Sequence, residues 1–155
     1  MTRNTRFWII LLALILLLGC ANGRGGERLE SRVSRLVEQA AKSENAEKKS
    51  FAELESLGYE AVPYLVGHLG DVRPLVTREI SINNSSADSF EGVRYYRPAT
   101  VHDALAAILN QITGQNFVFV YNGATPKDRR ENIRKWVDWC RSTYPDQAEA
   151  CDEKK

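Results

Sequence analysis

Two histidines in 155 residues leave this chain little with which to do acid–base or metal chemistry. His68 and His102 stand apart, with neither a His-Glu-x-x-His pair nor another paired-histidine spacing. Asp71 follows His68 at i+3 and Asp103 adjoins His102, which is too little to mark a site. A Gly-x-Ser-x-Gly nucleophile elbow is missing. Gly23-Arg24-Gly25-Gly26 has no strand before it and no Gly-Lys-Ser/Thr after it, so it is no phosphate cradle. An excess of charge of either sign is missing too: 21 Lys and Arg face 20 Asp and Glu, for a formal net charge of +1. That balance carries no electrostatic footprint for nucleic acid. Basic residues are interleaved with acids, as in Glu27-Arg28-Leu29-Glu30-Ser31-Arg32, the pattern of a solvated helix face. Arg129, Arg130, Arg134 and Lys135 read the same way. These absences predict no catalytic residue, no metal site, no cofactor and no nucleic-acid partner.

What is present begins at the N-terminus. Met1-Thr2-Arg3-Asn4-Thr5-Arg6 is polar and basic, Phe7 to Leu18 is unbroken apolar, and Gly19-Cys20 precedes a Gly-rich stretch. This is the layout of a secretory signal peptide, and about a dozen apolar residues is short for a spanning helix, which needs about 20. The end of the run, Leu16-Leu17-Leu18-Gly19-Cys20, resembles a bacterial lipobox. The resemblance implies removal of residues 1–19, acylation of Cys20, and a tether over 20–26. Ala21, in place of the Asp that retains such proteins in the inner membrane, implies the outer membrane, facing the periplasm. An uncleaved anchor helix or an ordinary signal peptide ending in cysteine are the alternatives. Losing the leader removes Arg3 and Arg6 and no acid, so the net charge of +1 becomes −1.

Two further cysteines, Cys140 and Cys151, then lie in an oxidising compartment, where a bridge is favoured. A disulfide would tie the charged tail, residues 145–155, to the last helix; the alternative is a buried Cys140 and a free Cys151.

Between leader and tail, residues 27–144 read as one mainly α domain. Helical periodicity covers Glu27 to about Glu44, with Leu29, Val33, Leu36, Val37 and Ala40 on one stripe, then Glu47 to Leu57, then Ala61 to Leu69 with Pro63 in its first turn. Residues 72–99 break the pattern. Leu75 to Ile82 partly alternates, Asn83-Asn84-Ser85-Ser86 signals a turn, and Phe90 to Tyr96 suits a returning strand, so an irregular or β-hairpin insertion is expected. Thr100 and Asp103 predict a capped helix over Val101–Thr113 with one buried stripe. Thr125-Pro126 predicts the start of the last helix, with Ile133, Trp136, Val137 and Cys140 facing inward and Trp139 at the edge.

Two passages resemble HEAT repeats. Leu54 to Asp71 carries a turn with Gly58 and then Ala61-Val62-Pro63-Tyr64-Leu65. Thr100-Val101-His102-Asp103-Ala104, Ile112-Thr113-Gly114-Gln115-Asn116-Phe117 and Trp136 with Trp139 are similar to the closing segment of small bacterial HEAT-like domains. The resemblance covers about residues 50–141 and implies helical hairpins in a small bundle or short solenoid. It names no ligand.

The aromatic residues Phe90, Tyr95, Tyr96, Phe117, Phe119 and Tyr121, with Arg94 and Arg97, are the types enriched at protein contacts. Arg94, Tyr95, Tyr96 and Arg97 are the candidate partner surface, and roofing of the helical core is the competing role. The function expected is a lipid-anchored envelope protein acting as a non-enzymatic interaction module or adaptor. An immunity-type inhibitor of a toxin delivered to the periplasm is the alternative. A cell-wall hydrolase is a third reading, which would require two carboxylates facing each other in a cleft.

Overall fold

Ser43 separates the first two helices. Its hydroxyl accepts the Ala46 N–H, so the second helix starts at Glu44, three residues before the position its apolar pattern suggests. The computed structural model describes residues 27–84 and 92–154. The expected signal peptide, Cys20, the tether and Phe90 lie outside the described residues.

Helix α1 (Leu29–Ala40) buries Val33, Leu36, Val37 and Ala40, and lies along α2 (Glu44–Ser56), which buries Phe51 and Leu54. These two form the most extensive helix pair of the molecule. The passage most like a repeat is built differently. After α2, Gly58 takes a left-handed φ of 65° and opens a 3-10 turn, Gly58–Ala61. The turn runs directly into a short α3 (Val62–Gly67) with Pro63 in its first turn. Helix α3 packs on the helices that begin at Val101 and Pro126 and on the C-terminal segment.

Helix α4 (Val101–Thr113) lies at the centre. The sequence pattern predicts one buried stripe, whereas every residue from Val101 to Leu109 is buried. Ala104, Ala106 and Ala107 supply small faces that let neighbours close in on all sides. Helix α5 (Pro126–Thr143) begins at a Thr125 capping box with Asp128 and carries Trp136, which is fully buried. Phe117 and Trp139 meet the Trp136 ring edge-on, at centroid distances of 4.9 and 5.5 Å.

The insertion contains an antiparallel pair, β1 (Ile80–Asn83) and β2 (Val93–Tyr96), with Ile80 opposite Tyr96 and Ile82 opposite Arg94. The expected first strand is shortened to its second half. The backbone N–H groups of Val76 and Thr77 donate to Glu47 instead of to a neighbouring strand, and Arg78 has a φ of 52°. The molecule is thus mainly helical, a small bundle with one two-stranded sheet.

The tail is more than a charged extension. Residues Pro145–Cys151 form a 3-10 helix, and Cys151 is fully buried and bridged to Cys140 across a Cα separation of 6.0 Å. The Lys154 N–H donates to Gly67 O at 2.8 Å, and its ammonium pairs with Glu30 on α1. The last residues therefore close the bundle.

Candidate functional site

Two buried or half-buried acids of α2 hold the hairpin down. Glu47, fully buried, accepts the N–H groups of Val76 (2.9 Å) and Thr77 (3.3 Å) and the Thr77 hydroxyl. In the last turn of α2, Glu55 accepts the Asn83 N–H at 2.9 Å. At the other end of β2, the Arg97 N–H donates to Asn122 Oδ1 at 2.8 Å. Strand alternation then sorts the candidate residues onto two sides.

Tyr96 shares the inner side with Ile80 and is buried, its ring 5.5 Å edge-on from Tyr121. It is removed from the expected partner surface: it belongs to the core. Arg94 shares that inner side with Ile82 and is half-buried. Tyr95, 71% exposed, and Arg97 project outward. The same lateral packing divides the other aromatics. Tyr121 is buried, and its phenol, donating to Asn116 Oδ1, is pushed up to about 12 by burial. Phe119 stacks edge-on against Tyr121 yet remains 59% exposed. Arg97, tied to Asn122, therefore lies beside the loop that presents Phe119.

A cleft flanks each side of the hairpin. The larger, about 690 Å³, is lined by Glu55, Tyr59, Asn83, Arg94, Gln111 and Gly114 among others. Burial raises the Glu55 carboxyl above its ordinary range, against the lowering effect of the Asn83 hydrogen bond. Gln111 Oε1 is buried there without a partner. The smaller, about 490 Å³, is lined by Glu44, Lys48, Thr77, Glu79, Ser81 and Tyr95 among others. Glu44 and Lys48, one turn apart on α2, pair along its wall at 2.7 Å.

The remaining buried polar groups join elements. Asp103 receives Arg129 through two bonds of 2.7 Å and also accepts the N–H groups of Ala99 and Thr100. Arg129 is thus corrected from a wet helix face to a half-buried brace between the starts of α4 and α5. His102 Nδ1 lies 2.5 Å from Leu69 O and must donate, since a carbonyl only accepts. The ring is therefore neutral unless it takes a second proton, which burial disfavours. Asn132 donates to Val118 O at 2.8 Å. His68 Nε2 and Ser34 Oγ share a hydrogen bond of 3.0 Å, a pairing across α1 and α3 that no sequence spacing announces. The nearby Asp71 carboxylate is held by the guanidinium of Arg73.

No group of His, Cys, Asp and Glu suited to a metal ion occurs among the described residues, and none of their helices is long and apolar enough to cross a membrane. Fold and site together define a small helical bundle with an anchored hairpin between two polar clefts. No family model matches the chain, and no curated protein or solved structure matches it.

Proposed function

We propose that this chain is a lipid-anchored protein of the bacterial envelope, held through acylated Cys20 and acting as a non-enzymatic interaction module or adaptor. The observation that carries the reading is the division of labour in the hairpin. Its base is fixed by Glu47, Glu55 and Asn122, while Tyr95, at 71% exposure, and Arg97 stand out from it beside the exposed Phe119. A rigid scaffold that displays aromatic and arginine side chains suits protein recognition. The helices serve that display, and we read them as HEAT-like in ancestry. The absence of an enzyme activity is part of the proposal, because Asp103, His102 and Glu47 are occupied in joining elements, and Glu55 is the single carboxylate lining the larger cleft among the described residues.

The test is crosslinking capture from envelopes with the wild type, with Tyr95→Ala/Arg97→Ala/Phe119→Ser, and with Cys20→Ser. A palmitate analogue is expected to label the wild type and not Cys20→Ser. The surface variant is expected to keep its stability and lose at least tenfold in partner recovery. Undiminished recovery would remove the hairpin as the partner surface, and equal labelling of both proteins would remove the lipid anchor.

A further inference from the structure

The larger cleft contains chemistry that neither the packing of the bundle nor the outer face of the hairpin uses. Its positive group is Arg94. Strand register puts this residue opposite Ile82 on the inner side, half-buried, where its guanidinium makes no hydrogen bond or ion pair with any described residue. The other arginines drawn into the structure behave differently: Arg32, Arg73 and Arg129 each meet a carboxylate at 2.7 Å. A half-buried, unpaired fork of donors is a receptor for a carboxylate, which it can take bidentately.

The opposite polarity comes from α2 and α4. Glu55 Oε1 accepts the Asn83 N–H and the carboxyl also meets the Asn83 side chain, which together hold it at the cleft wall. Gln111 Oε1 is buried without a donor. Helix α4 ends here, at Gly114 with a φ of 70°, so the negative end of its dipole faces the same space. Asn110 Nδ2 donates to Gln115 O at 2.8 Å and keeps that last turn closed. Acceptors without donors beside a desolvated carboxyl suit an ammonium group. The volume, about 690 Å³, falls within the range of about 300–1,000 Å³ common to small-molecule pockets.

We propose that the cleft between the C-terminal turns of α2 and α4 and the hairpin binds a short peptide with free ends, its carboxylate on Arg94 and its ammonium group against Glu55 and Gln111. The occupant is zwitterionic because the cleft offers a cation and acceptors together, without the ion pair that would otherwise join them. The site is independent of the lipid anchor and of the protein surface formed by Tyr95, Arg97 and Phe119.

The experiment is a titration of the full chain, in detergent, with alanyl-alanine and tetra-alanine, followed by amide and side-chain NMR shifts. Saturable shifts are expected at Asn83, Gln111 and Gly114. Amidating the peptide C-terminus and Arg94→Gln should each weaken binding at least tenfold, and so should acetylating the N-terminus and Glu55→Gln. The blocked peptides report on the site even where a variant fails to fold. Absence of saturable shifts with both peptides overturns the proposal, as does equal affinity for free and doubly blocked forms.

Discussion

Single residues carry chemistry here mostly by being placed against another helix. His68 is the clearest case. Burial against Ser34, with the Lys154 ammonium nearby, lowers its pKa from 6.5 to about 4, outweighing the acids Asp71 and Glu30. As the pH falls below 6.5, the unfolded chain takes up a proton that the folded chain refuses. The contribution to stability is therefore complete above pH 6.5, declines between 6.5 and 4, and changes no further below 4. Urea unfolding at pH 7.5 and 4.5 should show a smaller loss for His68→Gln than for the wild type, the remaining slope including His102, whose pKa burial also lowers. An identical loss in both proteins would show that His68 titrates normally. Arg129 teaches the complementary lesson. Its neighbours Lys127, Asp128, Arg130 and Glu131 read as a wet helix face, and only the approach of Asp103, 26 residues away, turns it inward.

Elements were legible where their signals are local. The Thr125-Pro126 start and the Gly114 stop each depend on a few neighbouring residues, and the structure has them where the sequence puts them. The hairpin was legible as two strand-like runs about a turn, but the extent of its first strand was not. Its strands are short because Glu47 draws the 76–77 backbone onto α2, an interaction spanning about thirty residues. Glu47→Gln should loosen that segment at a cost of about 1–3 kcal/mol, since hydrogen bonds to a charged group are lost or weakened. Hydrogen exchange reads it directly: the Val76 and Thr77 amides should lose protection while the centre of α4 keeps it. Uniform loss across all helices would mean that Glu47 supports the whole bundle.

At the scale of the whole molecule, the C-terminal segment is a clasp. It links α5 through the Cys140–Cys151 bridge and the Arg141–Asp152 pair, α3 through Gly67, and α1 through Glu30. Gly67 is needed at that junction because a Cβ there would sit 2.6 Å from the backbone oxygen of Ala150. Gly67→Ala is therefore expected to lose about 1–3 kcal/mol by overpacking, whereas Gly70→Ala meets only the movable side chain of Glu153 and should be tolerated. Reducing the disulfide should lower stability by about 2–4 kcal/mol. Because both changes act on one clasp, their effects should fall short of additive. Denaturant midpoints of the two variants, oxidised and reduced, check this, and equal losses for Gly67→Ala and Gly70→Ala would contradict the geometry. The sequence by itself determined the helical class, the caps, the buried Trp136 and the place of the hairpin, because periodicity and capping act within a turn or two of the chain. Tertiary structure alone decided that α4 is buried on every side, that Tyr96 turns in while Tyr95 turns out, that Arg94 faces a cleft, and that the charged tail closes the bundle. Those outcomes depend on which surfaces meet, and surfaces distant in sequence are brought together only by packing.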